Sequence, residues 1–392
     1  MKSRFTISIC VLFILFVTGC TNPEKEAEQE EKKDTSIGIE EKTNPSLPSI
    51  STEDTSSLEE VKGEIRHVHY AGDGKILISA EMLYLYDLET ESILAEISQE
   101  PSENEQAWSI DNGYVVIQET EDDSISMTEW EPNYQGTFYN EELKQVFDFD
   151  FNQLLEEDDL LMSFKQISFN HDGTHMAYAT DSGLYVYDFK LEKKTKVLDL
   201  VADNLEERSN IAALEQIGFI NGGTKIAFKA QTLPSQLDQP SYDTCGMVNI
   251  DGTDLSNQTF DNYTCKELIS YNDWVLLTED VTNATGRLMV MDAKTEKITI
   301  HTLTEKEESG IVTGSDKGAY FATFHSSDKE FIIRIYDTKT GELIKKLQKP
   351  VDEKALLDRM PVLKVLDDTR KIIILLGSKQ EDIETKIMID QF

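Results

Sequence analysis

Cysteine and basic residues are scarce in this sequence, and the short motifs of well-known enzyme chemistry are missing. Of four cysteines in 392 residues, Cys10 lies inside an apolar run and Cys20 ends it, which leaves Cys245 and Cys265 for a folded part. No Cys-x-x-Cys occurs, so thioredoxin-type and zinc-ribbon chemistry is excluded. Lys and Arg number 37 against 74 Asp and Glu, a formal net charge of −37. Such a surface repels phosphate backbones and anionic headgroups, so no nucleic-acid partner is expected. Solubility is the plain use of that charge; a basic partner or bound cations are the sharper use, which charge alone does not select. There is no Gly-x-Ser-x-Gly elbow, P-loop, dinucleotide fingerprint or His-Glu-x-x-His. No catalytic residue, cofactor or metal site is therefore assigned.

What is present begins at the N-terminus. Lys2 and Arg4 precede an almost wholly apolar run from Phe5 to Val17, too short for a spanning helix and suited to a signal peptide. The run closes on Val17-Thr18-Gly19-Cys20. This resembles the lipobox of bacterial lipoproteins. The resemblance implies cleavage before Cys20, lipidation of its thiol, and a chain anchored by lipid to the extracytoplasmic face of the cell membrane. Residues 1–19 are thus read as a lipoprotein signal peptide. Residues 20–60 follow as a disordered acidic tether, since Glu24-Lys25-Glu26-Ala27-Glu28-Gln29-Glu30-Glu31 has too little apolar surface to fold alone. In an exported chain Cys245 and Cys265 either form a disulfide or remain separate buried thiols, and the sequence leaves both open.

Residues 61–392 are periodic. The clearest copy runs Ile167-Ser168-Phe169-Asn170-His171-Asp172-Gly173-Thr174-His175-Met176-Ala177-Tyr178, then Leu184-Tyr185-Val186-Tyr187-Asp188. It reads as strand, Asp-Gly turn, strand, turn, strand. Related units start near Ile65, Trp108, Ile217, Leu268, Ile311 and Val362. Asp87, Asp188, Asp251, Asp292, Asp337 and Asp390 are expected to end the third strand of their units, where Asp accepts local backbone N–H bonds and starts a tight turn. Their recurrence argues for punctuation rather than catalysis. The second unit is degenerate: Asn140-Glu141-Glu142-Leu143-Lys144-Gln145-Val146-Phe147 suggests a short inserted helix with Asn140 as its N-cap. The seventh unit stops after its third strand, and residues 47–61 are the expected source of the strand that completes it.

The unit from Phe169 to Tyr178, with its Tyr187-Asp188 ending, resembles the repeat of TolB-type and WD40-like propellers. The resemblance implies an all-β fold: a seven-bladed β-propeller, or six-bladed if the second unit is an insertion, that binds partners across its faces or central channel.

Candidate chemistry is thin. His67 and His69 share one strand face, where a metal site needs more ligands than two and a partly buried face is the simpler reading. His171 and His175 flank a turn and are expected at the surface. Asp148-Phe149-Asp150-Phe151-Asn152 alternates like a calcium loop but lacks its Gly and closing Glu. Tyr139, Phe147, Phe149 and Phe151 read as packing. The function expected is a lipid-anchored extracytoplasmic propeller that acts as a protein- or envelope-binding scaffold, with the membrane as one partner and an unidentified protein as the other. The alternative is an extracytoplasmic propeller enzyme, a lyase or lactonase-like hydrolase, with His and carboxylates gathered at one channel mouth. A sensory lipoprotein feeding a membrane kinase is not separable from the first.

Overall fold

The computed structural model describes residues 58–392 except 59, 100–101, 103, 121–132, 157–158, 162, 201–210, 233–242, 259–262, 281–283, 307–310, 327–329, 351–361 and 377–385. The expectations for residues 1–57, which include Cys20 and nearly all of the tether, lie outside the described residues.

The repeats fold as seven small antiparallel sheets. Blade 1 holds β1 (His67–Gly72), β2 (Lys75–Ser79), β3 (Leu83–Asp87) and β4 (Ser92–Ile97). Blade 2 holds β5 (Glu105–Ile110), β6 (Gly113–Thr120), β7 (Asn133–Asn140) and β8 (Gln145–Asp150). Blade 3 holds β9 (Ile167–Phe169), β10 (His175–Ala179), β11 (Gly183–Asp188) and β12 (Lys193–Asp199). Blade 4 holds β13 (Ile211–Ile220), β14 (Lys225–Thr232), β15 (Asp243–Asn249) and β16 (Ser256–Gln258). Blade 5 holds β17 (Cys265–Ser270), β18 (Trp274–Glu279), β19 (Arg287–Asp292) and β20 (Ile298–Thr302). Blade 6 holds β21 (Val312–Gly314), β22 (Tyr320–Ser326), β23 (Glu330–Asp337) and β24 (Leu343–Pro350). Blade 7 holds β25 (Val362–Leu366), β26 (Lys371–Leu376) and β27 (Lys386–Gln391).

The middle strands read as continuous apolar runs because both of their faces are covered. Ile76 and Ile78 of β2 join the cluster shared with blade 7, while Leu77 between them joins the cluster shared with blade 2. In β6, Val115 and Ile117 face blade 3 and Val116 faces blade 1. Fully burying each such side chain stabilises the fold by about 1.5–3 kcal/mol. Among the described residues the core divides into seven clusters, each shared by two neighbouring blades. The cluster between blades 7 and 1 closes the series, so the blades form a ring: a seven-bladed β-propeller.

That ring removes the six-bladed alternative. Blade 2 is a complete sheet, and the expected inserted helix is instead a turn leading into β8. Asn140 caps it, but as a turn: its side chain accepts the backbone N–H groups of Glu142 and Lys144, at 3.0 and 2.8 Å. Beyond that turn Phe147 and Phe149 alternate on one strand face and pair across to β7, and strand packing overrides the local helical pattern.

The Asp punctuation is local hydrogen bonding. Asp87 accepts the N–H groups of Glu89 and Thr90, Asp188 those of Lys190 and Leu191, and Asp292 those of Lys294 and Thr295, all at 2.7–3.0 Å. These bonds hold the three carboxyls below their ordinary pKa. Asp251 differs, lying two residues past β15 in the turn itself, where it accepts from Thr253. In the opening unit, Gly173 has φ +68°, the left-handed conformation its turn requires.

Blade 7 has three strands among the described residues. Leu58, Val61 and Ile65 pack against the cluster between blades 7 and 1.

Candidate functional site

The first strand of each blade brings its side chains closest to the ring centre, and two polar groupings lie there. The first joins blades 1 and 2. Alternation along β1 turns His67, His69 and Ala71 towards blade 2, with the two imidazoles stacked at 5.8 Å. His69 Nε2 meets Glu105 Oε1 at 3.2 Å, and both side chains are buried. The other Glu105 oxygen accepts from Ser79 Oγ at 3.2 Å and Gln118 Nε2 at 2.6 Å. Burial alone would raise the Glu105 pKa, but the hydrogen bond and charge of His69, with His67 and Gln118, bring it below the ordinary range. Burial pushes the His69 pKa down, against Glu105. Both Glu105 oxygens are engaged, so this is a satisfied buried network.

The second grouping sits where blades 6, 7 and 1 meet. The first strands of blades 6 and 7 touch through a parallel bridge between Ser315 and Val365. Tyr70, from β1, donates its hydroxyl to the Gly314 carbonyl at 2.8 Å and accepts the Val365 N–H at 3.0 Å. Gly314 lets this junction close: a Cβ there would lie 1.7 Å from the Tyr271 hydroxyl. Lys364 of β25 holds its amine 4.9 Å from the centre of the Tyr70 ring and makes no ion pair among the described residues. Its desolvation lowers the pKa to about 8.

Beside it, Asp316 Oδ1 accepts the Asp367 N–H at 2.8 Å, and Asp367 Oδ2 accepts the N–H groups of Lys317 and Ala319. Asp316 Oδ2 and Asp367 Oδ1 are buried with no hydrogen-bond partner. Burial, then the charges of Asp367 and Asp368, push the Asp316 carboxyl up to about 6. Tyr70 and Tyr271 are shifted upward, chiefly by burial, and stay protonated. This junction can exchange protons near neutral pH through Asp316 and Lys364.

A third feature lies on the rim. Four of the six residues of outer strand β8 are exposed. Phe147 stacks on Phe138 at 4.2 Å, and Phe189 of blade 3 closes against Phe138, Phe147 and Phe149. Val146 is 63% exposed and Phe147 40%. β8 carries two exposed large apolar side chains, against one each on β4 (Leu94) and β20 (Ile300). It also lacks the lysines that stud β12 (Lys193, Lys194, Lys196) and β24 (Lys345, Lys346).

The residues singled out in the sequence fall as follows. Cys245 and Cys265 meet in the cluster between blades 4 and 5, as free thiols with sulfurs 3.1 Å apart. His171 is exposed and pairs with Asp111 at 2.9 Å, whereas His175 is only partly exposed, near Asn170 and Asp188. Within the Asp148–Asn152 segment, Asp150 caps a short 3-10 turn through the Asn152 N–H, and Asp148 receives Gln145. Among the described residues no three His, Cys, Asp or Glu side chains converge to hold a metal ion. Sequence reasoning did not find Glu105, Tyr70, Asp316, Lys364 or Asp367. Their one local signal is that Asp316 and Asp367 occupy equivalent places, just past the first strands of adjacent blades.

No protein-family model matches the chain, and no curated protein matches it. Among solved structures, it is similar to the β-propeller domain of Cps50 (Swd1) from Myceliophteria thermophila, with TM-score 0.52, 9% identity, and coverage of 84% of this chain and 97% of that one. A structure described as the eukaryotic initiation factor aligns with TM-score 0.46 and 10% identity over 84% of this chain and 86% of its own. At 9% identity the likeness to the first of these speaks to fold alone: a β-propeller.

Proposed function

We propose that this WD40-like β-propeller is held at the extracytoplasmic face of a cell membrane by lipid on Cys20 and serves there as a scaffold for a protein of the cell envelope. The observation that carries the binding role is β8, an outer strand with exposed Val146 and Phe147 and no lysine of its own. Natural sheets guard outer edges most often with Lys, and an edge that exposes apolar side chains without it can pair with other chains. Asp148 and Asp150 on the same strand, and the net charge of −37, favour a partner segment that mixes basic and apolar residues. The anchoring rests on Val17-Thr18-Gly19-Cys20 after its apolar run.

Each half has its own experiment. Cys20→Ser is expected to release the protein from the membrane fraction; retention there would remove the lipid anchor. Val146→Lys is expected to abolish capture of the partner in cross-linking on intact cells, with the melting temperature unchanged. Capture that survives the substitution would move the docking surface away from β8.

The enzyme reading keeps one observation in its favour, the Asp316 carboxyl raised to about 6 by burial in the blade 6–7–1 junction, where a general acid or base would be useful. Turnover of a sugar lactone by the protein, lost in Asp316→Asn, is what this reading predicts. No turnover by the unaltered protein counts against it.

A further inference from the structure

We infer that Cys245 and Cys265 are joined by a disulfide that staples blade 4 to blade 5. Cys245 lies on β15, the third strand of blade 4, and Cys265 opens β17, the first strand of blade 5. Their sulfurs approach to 3.1 Å across the seam, and the residues are 4% and 2% exposed. Each strand is fixed by its own sheet: Cys245 pairs with Lys229 and Gln258, and Cys265 with Glu279. The contact is therefore set by the backbones on both sides and not by one adaptable side chain. A pair already in sulfur contact needs only a further approach of about 1 Å to reach the bonded separation.

The place chosen for the staple has a physical reason. Among the described residues outer strand β16 pairs with Cys245–Met247 alone, and the β17–β18 register breaks between Cys265 and Leu268. The ladder is short on the outer side of Cys245 and broken next to Cys265, while β14 holds Cys245 on its inner side, and a covalent link adds to these bonds. The hydrogen bond with the Cys265 thiol, then burial, hold Cys245 well above the ordinary cysteine pKa. Folded Cys245 is then a poor nucleophile, and both thiols are buried, so the bond closes most readily before the seam has packed and resists exchange afterwards.

The chemistry balances through thiol–disulfide exchange. One cysteine thiolate attacks a disulfide oxidant and releases one thiol of that oxidant. The second cysteine then attacks the mixed disulfide, the S–S bond of the protein forms, and the second thiol leaves. The two cysteine protons end on the two released thiols, and the oxidant's disulfide is reduced. In the cell this needs the oxidising compartment of the proposed location. The experiment supplies its own oxidant, so an error in that location leaves the inference standing.

A convenient readout exists because trypsin, cutting after Lys229 and Lys266, places both cysteines on the one peptide 230–266. The full chain, first reduced, is held with oxidised glutathione in urea below its unfolding midpoint, then alkylated and digested. The expected peptide is lighter by two hydrogens and carries no alkyl group until reductant is added. The melting temperature should fall by about 3–8 °C on reduction. The Cys245→Ala/Cys265→Ala variant should melt independently of reductant. A peptide alkylated on both sulfurs before reduction, or carrying glutathione on either one, would overturn the inference. So would a melting temperature that reductant does not move.

Discussion

Two junctions between blades bury ionisable groups near the ring centre, and they handle the burial in opposite ways. Between blades 1 and 2, Glu105 is enclosed with His69, Ser79 and Gln118 around it, and its carboxyl is held below the ordinary range. Where blades 6, 7 and 1 meet, Asp316 and Asp367 each leave one buried oxygen unbonded, and Lys364 has an aromatic ring in place of a carboxylate. There Asp316 is pushed up to about 6 and Lys364 down to about 8. Burial is common to both junctions, so burial does not set the sign; the hydrogen bonds and charges of the neighbours do. The first junction is a structural clasp. The second costs stability at neutral pH, and groups kept under such strain are where function is sought first.

The comparison can be broken at its strong side first. Glu105→Ala removes the partner of buried His69 and Ser79 and of half-buried Gln118, and should destabilise the propeller by about 3–5 kcal/mol, read from urea denaturation. A loss below about 1 kcal/mol would mean the network is not a clasp. Because the Glu105 pKa is depressed in the folded state, its contribution is present above the ordinary carboxylate value, 4.5, and fades as pH falls through the folded one.

Asp316→Asn should act in the other direction. Its Oδ1 still accepts the Asp367 N–H, and no charge is left on the buried side chain. The folded pKa of Asp316 lies above its ordinary 3.8, so folding binds a proton between those two values. The penalty is absent below 3.8, grows as pH rises through about 6, and is full above it. The variant should therefore be more stable than the parent by about 1–2 kcal/mol at pH 8 and show little gain at pH 4. Equal gains at both pH values would deny the charged-state penalty.

Lys364→Met is the smaller case, since the residue is only half-buried overall and its charge is discounted for solvent screening. Its folded pKa of about 8 lies below the ordinary 10.5, so folding releases a proton between them. The cost is full below about 8 and is relieved as pH rises through that window. A gain of about 1 kcal/mol at pH 7 that shrinks by pH 10 is expected. The smallest effect is the coupling between the last two changes. Lys364 is not among the charges that move Asp316, so the double variant should equal the sum within about 0.5 kcal/mol. A larger coupling would make the two groups one unit.

The fold was legible because its signals are local. Alternating strands, Asp-Gly turns and the recurring Asp after a third strand each depend on neighbours in sequence, and they placed most strands. Blade 2 misled because Asn140 capping an N–H two residues on looks alike before a helix and in a turn, and only Phe147 and Phe149 pairing into β7 decide it. The central groupings were not legible. Tyr70 reaches Gly314 and Val365 across 244 and 295 residues, and no local pattern announces a contact that only ring closure creates. His67 and His69 were visible as a pair on one face. Their partner Glu105 was not, since it opens a strand of the next blade.

The direct test of the contrast is carbon-13 NMR titration of the side-chain carboxyls of Glu105 and Asp316 in the folded protein. The account predicts that Asp316 titrates near pH 6 while Glu105 stays ionised to below its ordinary 4.5. Two carboxyls titrating together at ordinary values would contradict it.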